Sequence, residues 1–136
     1  MEQQIIHDSL FLSQKSVVAQ KSDIKIAEDL RDTLVANSGL AIGLAANMIG
    51  KNKRIIAFYA GMLPMVMVNP TIIEKSGEYD VEEGCLSLSG MRKTVRYNKI
   101  VVEYRDMNFT KKKQEFTGLI AETIQHEVDH CNGILI

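Results

Sequence analysis

Two histidines spaced four residues apart, near the C-terminal end of the sequence, are the clearest candidates for chemistry. They lie in residues 125–130 (QHEVDH), a His-Glu-x-x-His pattern. In a helix, positions four apart share one face, so His126 and His130 could direct their imidazoles at one metal ion. Glu127 would then lie beside a bound water as its proton acceptor. The alternative is a surface helix that carries two histidines by chance, because short motifs also occur without function.

A catalytic metal of this kind needs a third protein ligand and one position left for water. His7 is the only other histidine, and it lies in a stretch without a strong pattern. Cys131 follows His130 directly, so on a helix it points about 100° away and belongs to the apolar face as a small buried residue. Cys85 lies in a segment with glycines on both sides, which indicates an unusual backbone path. A Cys85 thiolate would complete the set of ligands, and a buried structural thiol is the alternative.

Three segments of the chain resemble, in order, the signature motifs of the peptide deformylase family. Residues 83–87 (EGCLS) and 125–130 (QHEVDH) are similar to the family's cysteine and histidine motifs. Residues 41–48 (AIGLAANM) are similar to its upstream loop, which has the pattern Gly-hydrophobic-Gly-hydrophobic-Ala-Ala-x-Gln. The resemblance covers the chain from about residue 41 to its end, and residues 1–40 match only loosely.

The resemblance implies a metal-dependent hydrolase that removes the N-formyl group from the N-terminal formylmethionine of newly made polypeptides and releases formate. Its metal ligands would be Cys85, His126 and His130. One divalent ion per chain is implied: Fe²⁺ is expected, and Zn²⁺, Ni²⁺ or Co²⁺ would also suit one thiolate with two imidazoles. Glu127 would be the catalytic base. The Leu86 N–H would bind the substrate oxyanion, and Gly43 would contact the substrate main chain. Formylmethionyl nascent polypeptides, met at the ribosome, would be the partners.

The chain departs from the family motif at two positions of the upstream loop. Ala41 replaces the first glycine, which is tolerable if the backbone there has a negative φ. Met48 replaces the glutamine whose side chain donates a hydrogen bond to the oxyanion in the family. A thioether has no N–H to donate, and losing one such donor typically lowers turnover by about 10²–10³. We therefore expect reduced activity, although Met48 taken alone is also typical of a residue that fills the core.

Two rival functions differ in how they use the histidine motif. A zincin-type endopeptidase shares the motif, but its third ligand is normally a downstream histidine or glutamate, and no such residue follows His130. A deformylase-like protein that binds metal or formyl-peptide ends, with weak or no turnover, is the stronger alternative because of Met48. Glu83 and Arg92 are further matches to the family, as groups that orient the loop or a ligand. A surface charge or a loop-bracing ion pair explains either of them equally well.

Composition narrows the remaining possibilities. A chain of 136 residues, 46% of them hydrophobic, predicts a single domain over residues 1–136. The net charge of −1 gives no electrostatic case for nucleic acid or an anionic membrane, and the lysines at positions 111–113 are typical of a solvated hairpin turn. No apolar stretch approaches the roughly 18 residues of a membrane helix. The first residues do not resemble a signal peptide. Two cysteines do not form a disulfide framework, so we expect the cytoplasm.

The pattern of elements predicts an α+β fold in which small antiparallel sheets pack around the metal-binding helix, as in the deformylase family. A first helix is expected with Ser22 as its N-cap, a stripe of Ala27, Leu30, Leu34 and Val35, and an end near Gly39. Predicted strands cover residues 54–59, 65–68, 71–74, 100–106 and 113–116, with turns at Gly61 and Pro64 and at residues 107–110. The last helix is expected to begin at Thr117 as its cap and to stop at Asn132 and Gly133. Its apolar stripe would be Leu119, Ile120, Thr123, Ile124, Val128 and Cys131.

Overall fold

Five antiparallel strands form one sheet, in chain order, in the computed structural model, which describes residues 1–136. The strands are β1 (Gly43–Ala45), β2 (Ile55–Ala60), β3 (Leu63–Cys85), β4 (Leu88–Arg105) and β5 (Lys111–Thr117). The helices are α1 (Ser9–Leu12), α2 (Ile24–Ala36) and α3 (Gly118–Cys131), with short 3-10 turns at Lys21–Asp23 and Ala46–Ile49. The predicted α+β class is confirmed, and the strands join into a single sheet.

The β3–β4 hairpin is much longer than the sequence pattern predicts. Residues 71–74 belong to β3, and the predicted strand 100–106 is the C-terminal part of β4. The register of the pair shifts between Val68 and Thr71 and again between Ile72 and Glu74. Most of residues 73–80 are exposed to solvent, so this part of the hairpin lacks the alternation of apolar and polar residues by which a strand is recognised.

Two predictions about turns need correction. Gly61 forms the β2–β3 turn with φ +68°, as expected, but Pro64 lies in β3 opposite Tyr59 rather than in the turn. The three lysines at positions 111–113 lie in strand β5 and not in a hairpin turn. Their turn comes earlier, where the side chain of Asp106 accepts hydrogen bonds from the N–H groups of Asn108 and Thr110. An Asp that bonds the backbone two residues on is itself a turn signal.

Helix α2 begins and packs slightly differently from the prediction. Ser22 is not the N-cap, because it lies within the 3-10 turn that leads into the helix. Ala27, Leu30 and Leu34 are buried as predicted, but Thr33 completes the buried face and Val35 is half-exposed. The helix ends at Ala36, and Gly39 follows in the next turn with φ +89°.

Helix α3 follows strand β5 without a loop. Gly118 makes this direct connection with φ +63°. Thr117 is the N-cap residue, as predicted, but its side chain forms no cap hydrogen bond. The helix ends at Cys131, just before Asn132 and Gly133, as predicted. Burial continues almost without interruption from Thr123 to Cys131, whereas Leu119 is exposed. The helix is therefore enclosed by the rest of the protein around its histidines and open near its start.

The hydrophobic core lies between the sheet and helices α2 and α3. It is one continuous cluster of 25 buried residues, and it includes Phe58 of β2, Ile100 of β4 and Ile124 of α3. The rings of Phe58 and Phe116 meet edge to face, with centroids 6.2 Å apart. The packing of Ile124 and its neighbours in this core holds α3 against the sheet. It thereby fixes the direction of the α3 side chains that point away from the core. None of the helices is long and apolar enough to cross a membrane.

Candidate metal centre

The side chains of Cys85, His126 and His130 meet at one point beside helix α3. Their ligand atoms all lie within 4.8 Å of one another. Nε2 of His130 is 3.3 Å from Sγ of Cys85 and 3.3 Å from Nε2 of His126. One sulfur and two imidazole nitrogens form a donor set that suits several divalent transition metals. The residues present therefore fit a bound divalent cation.

Two different elements bring these ligands together. His126 and His130 lie one turn apart on α3, with ring centroids 5.0 Å apart. Cys85 is the last residue of β3, and the turn Leu86–Ser87 then leads into β4. Because the β3–β4 hairpin ends beside the helix, residues some forty positions apart come into contact. The other cysteine, Cys131, is fully buried in the core, as predicted from the helical pattern.

A buried network of charges orients His126. The carboxylate of Glu83 accepts a hydrogen bond from Nδ1 of His126 at 2.7 Å, which leaves Nε2 to face the other two ligands. Arg96 donates to both oxygens of Glu83 at 2.7–3.2 Å and to Asp129 at 2.6 Å. Arg96 is only 4% exposed. Carboxylates that hold a ligand histidine in this way fix its tautomer and its ring orientation.

The same contacts set the proton affinities of the network. Burial opposes the charge on Glu83, but hydrogen bonds from His126 and Arg96 outweigh it and lower the pKa of Glu83 to about 2. Burial also opposes the charge on His126, but hydrogen bonds to Cys85 and Glu83 raise its pKa to about 10. Burial and the neighbouring His126 lower the pKa of His130 to about 3. A cation bound between the three residues would therefore have to displace the proton on Nε2 of His126.

Glu127 lies beside the three ligands in a different environment. It is 4% exposed, its Oε1 has no hydrogen-bond partner, and burial raises its pKa to about 7. A buried carboxyl group whose pKa lies near neutral pH can both accept a proton and return it. This arrangement differs from that of Glu83, whose two oxygens are fully engaged.

Two amide side chains hold α3 in place next to the ligands. The Gln125 amide forms hydrogen bonds with both backbone groups of Tyr97 in β4, at 2.7 and 2.8 Å. The Asn47 amide nitrogen donates to the backbone oxygen of His130 at 2.9 Å. In both contacts a side-chain amide satisfies backbone groups that have no partner on the neighbouring element. Both residues lie within the motifs at 41–48 and 125–130, but their roles could not be read from the sequence, because each contact depends on how distant elements pack.

A cavity of about 650 Å³ opens beside Cys85, His126 and Glu127. One wall is formed by residues 39–43 and another by residues 82–86, while Leu119, Glu122 and Thr123 line it from α3. Leu40 and Leu119 are largely exposed at this cavity. This position explains why Leu119 does not join the buried stripe of the helix. The cavity is large enough for a few peptide residues next to the three ligands.

Strand β1 presents free backbone groups along this cavity. β1 lies at the edge of the sheet and pairs only with β2. The Tyr59 N–H donates to the Ile42 oxygen, so these two residues form a hydrogen-bonded pair. In an antiparallel sheet such pairs alternate with pairs that form no hydrogen bonds to each other. The next pair, Gly43 and Phe58, is of the second kind, and its backbone groups point away from the partner strand. The N–H and C=O of Gly43 therefore face the open edge, where an extended chain can pair with them.

Gly43 also approaches α3 too closely for any side chain. A Cβ at this position would lie 2.7 Å from Cγ2 of Thr123 and 2.9 Å from Oε2 of Glu127. Glycine therefore fits here without displacing Thr123 or the buried carboxylate of Glu127, and any larger residue would move them. Leu86 lines the opposite wall of the cavity, and its backbone N–H takes part in no loop hydrogen bond.

The remaining residues singled out from the sequence occupy different places. Met48 is buried and belongs to the core, and its sulfur accepts the Ala45 N–H at 3.4 Å. Ala41 lines the cavity. Arg92 donates only to the Ser89 oxygen and braces its own loop. The guanidinium that the network uses is that of Arg96, to which no sequence motif pointed.

Comparisons with known proteins agree on one family. The family model described as polypeptide deformylase matches residues 3–136. The peptide deformylase of Clostridium beijerinckii is 54% identical over 132 residues, which cover 97% of each chain. That of Dictyoglomus thermophilum is 40% identical over 129 residues, or 92% of this chain and 83% of the relative.

Solved structures give the same result for the fold. The Met-Ala-Ser-bound class I type b peptide deformylase from Acinetobacter baumannii has a TM-score of 0.89 at 26% identity, over 99% of this chain and 97% of that one. A peptide deformylase from Legionella pneumophila has a TM-score of 0.88 at 31% identity, over 99% of this chain and 83% of that one.

Proposed function

This chain belongs to the polypeptide deformylase family, and we propose that Cys85, His126 and His130 are the ligands of its metal ion. Family members are metal-dependent hydrolases, and the function of the chain is to remove the N-formyl group from newly made polypeptides. The observation that carries the ligand assignment is the convergence of the three donor atoms within 4.8 Å. Fe²⁺ is the proposed ion, with Zn²⁺, Ni²⁺ or Co²⁺ as substitutes that this donor set also suits.

The bound cation would supply Lewis acidity, which lowers the pKa of water and polarises the formyl carbonyl. The chain's own residues would do the rest. Glu127 would accept the proton of the attacking water through its free Oε1 and pass it to the leaving amine. The products would be formate and a free N-terminal amine. The burial of Glu127 supports this role, because it raises the pKa of the carboxyl group to about 7.

Substrate binding would use the two walls of the cavity. The Leu86 N–H, which is free of loop hydrogen bonds, would donate to the oxygen that gains negative charge. The N–H and C=O of Gly43 at the open edge of β1 would pair with the main chain of the formyl peptide. The Met-Ala-Ser peptide bound by the Acinetobacter baumannii relative indicates a peptide of this kind. We also propose that the chain meets its substrates in the cytoplasm as they leave the ribosome.

We propose that turnover is lower than in relatives that carry glutamine at position 48. Met48 offers no N–H, and its sulfur is already the acceptor of the Ala45 N–H. One oxyanion donor would remain on the protein, the Leu86 N–H. A protein that binds metal and formyl peptides with little or no turnover is the second candidate, and the same residue motivates it.

Formate release from formyl-Met-Ala-Ser tests these proposals. We expect one divalent metal per chain in protein purified without oxygen, and measurable but low turnover. Cys85→Ser should lose metal, whereas Cys131→Ala, a change at the other cysteine, should keep it. Glu127→Gln should keep the metal and lose turnover by about 10²–10⁴. Full metal occupancy in Cys85→Ser would contradict the ligand assignment, and no formate from the metal-loaded wild type would favour the second candidate.

A further inference from the structure

His7 stands outside the three ligands, yet its ring contacts the turn that carries part of the site. Nδ1 of His7 lies 2.9 Å from the backbone oxygen of Ser87. A carbonyl oxygen can only accept, so Nδ1 must carry the proton and donate it. Ser87 follows Cys85 and Leu86 directly, and it is itself 3% exposed. The contact therefore joins the N-terminal segment to the turn that positions the sulfur ligand and the Leu86 N–H.

The backbone on both sides of His7 is held in place. The Ile6 N–H donates to the Met48 oxygen at 2.9 Å, and Ile6 packs against the core. On the other side, the Asp8 side chain accepts the Leu10 N–H at 3.0 Å and caps α1. The imidazole thus projects from a fixed backbone, and little conformational freedom is lost when it bonds to the turn.

Within the hairpin, the turn that receives this bond is closed by one strand pair, Cys85 and Leu88. The strand register is irregular between Gly84 and Cys85, and Leu86 and Ser87 lie outside the ladder. The Ser87 hydroxyl is buried without a hydrogen-bond partner. A donor from outside the hairpin therefore has a clear effect on the direction of the peptide groups in the turn.

We propose that His7 is a positioning residue, whose Nδ1–H holds the turn at Leu86 and Ser87 so that Cys85 and the Leu86 N–H keep their places in the site. The proposal rests on the proposed function of these two groups. It assigns no contact between His7 and the substrate or the metal. Its effect passes through the Ser87 carbonyl alone.

Three substitutions separate this role from a general effect on folding. His7→Asn places an amide N–H where Nδ1–H stands now, because both nitrogens are bonded to Cγ. His7→Gln places its amide where Nε2 stands, and His7→Ala removes the donor. The net free energy of a typical hydrogen bond corresponds to a change of about threefold to tenfold in an equilibrium constant. We expect the Ala and Gln variants to lose about that factor in kcat on formyl-Met-Ala-Ser, with KM within about twofold, and the Asn variant to stay near the wild type.

Thiol labelling of the protein as purified gives a readout that does not need activity. The rate at which Cys85 reacts should rise about threefold to tenfold in the Ala and Gln variants and stay near wild type in the Asn variant. Cys131 is fully buried and should remain unreactive in all of them. An Asn variant that behaves like the Ala variant, an unchanged Cys85 rate in the Ala variant, or a parallel rise at Cys131 would each overturn the proposal. If the wild type proved inactive, the proposed function would fail, and this labelling pattern would still decide the role of His7.

Discussion

Glu83 and His126 share a hydrogen bond of 2.7 Å between Oε1 and Nδ1, although they are 43 positions apart in the sequence. The bond turns Nε2 of His126 towards Cys85 and His130. It also joins the helix to the β3–β4 hairpin at the point where the ligands meet. The geometry of the candidate metal centre therefore depends on a carboxylate that is not itself among the ligands.

Replacing Glu83 with glutamine tests this dependence. An amide oxygen in the place of Oε1 could still accept from His126 and from Nη2 of Arg96. The NH₂ group in the place of Oε2 would face Nε of Arg96, donor against donor, and the carboxylate charge would be lost. We expect metal affinity to fall about 10–100-fold, which competition with a chelator would measure. Glu82→Gln is the matched control, because Glu82 is the exposed neighbour and forms no ion pair. Equal affinities in the two variants would contradict the orienting role of Glu83.

Arg96 should matter far more to stability than Arg92. Removing one partner of a buried ion pair typically costs about 3–5 kcal/mol, because the remaining charge stays buried without compensation. Arg96→Leu should lower the free energy of unfolding by about that amount, as measured by urea denaturation. Arg92→Leu removes only a bond to a loop carbonyl and should change it by less than about 1 kcal/mol. Similar losses in the two variants would show that Arg96 has no special role.

The difference between these arginines shows where sequence-based prediction fails. Arg92 is the direct cross-strand neighbour of Glu83, and it flanks the cysteine motif in the sequence. The guanidinium that reaches Glu83 comes from Arg96, four residues further along β4. The pairing depends on the direction of a long side chain along the sheet and on Asp129 of the helix. Neither of these follows from residue spacing.

The three proposed ligands, in contrast, could be found from the sequence. His126 and His130 follow helical spacing, and the cysteine motif selected Cys85 over Cys131. The structure brings Cys85, His126 and His130 together and buries Cys131 in the core. The contact of His7 with Ser87 could not be found in this way. It joins an irregular segment to a turn 80 residues away and leaves no periodic signal.

Gly43→Ala should reduce activity by moving the buried carboxylate. The added Cβ would meet Cγ2 of Thr123 at 2.7 Å and Oε2 of Glu127 at 2.9 Å, so both side chains must shift. A displacement of about 1 Å at a catalytic group can lower turnover by about 10²-fold. Formate release at saturating peptide measures this loss.

Thr123→Ser provides the control for Gly43→Ala. It removes only Cγ2 and keeps the hydroxyl that donates to the Leu119 oxygen. Combined with Gly43→Ala, it should restore part of the lost turnover, because one of the two clashes is relieved. A double variant no better than Gly43→Ala would mean that contact with Glu127 alone causes the loss.

Met48→Gln should raise turnover at a modest cost in stability. Methionine and glutamine are both unbranched and of similar length. The glutamine oxygen could accept the Ala45 N–H that the Met48 sulfur accepts now, and the NH₂ group would then supply the second oxyanion donor. We expect kcat to rise at least about tenfold, mainly in the chemical step, where the negative charge develops. The same change places an amide in a position that is 1% exposed, and we expect a loss of about 1–3 kcal/mol in unfolding free energy.

Single-turnover formate release and urea denaturation of the same samples measure both effects of Met48→Gln. Met48→Leu is the matched control, because it keeps an apolar side chain of similar volume and adds no donor. Its turnover should stay at or below that of the wild type. If folded, metal-loaded Met48→Gln protein gains nothing over Met48→Leu, the glutamine amide does not act as a donor in this chain, and Met48 does not limit its turnover.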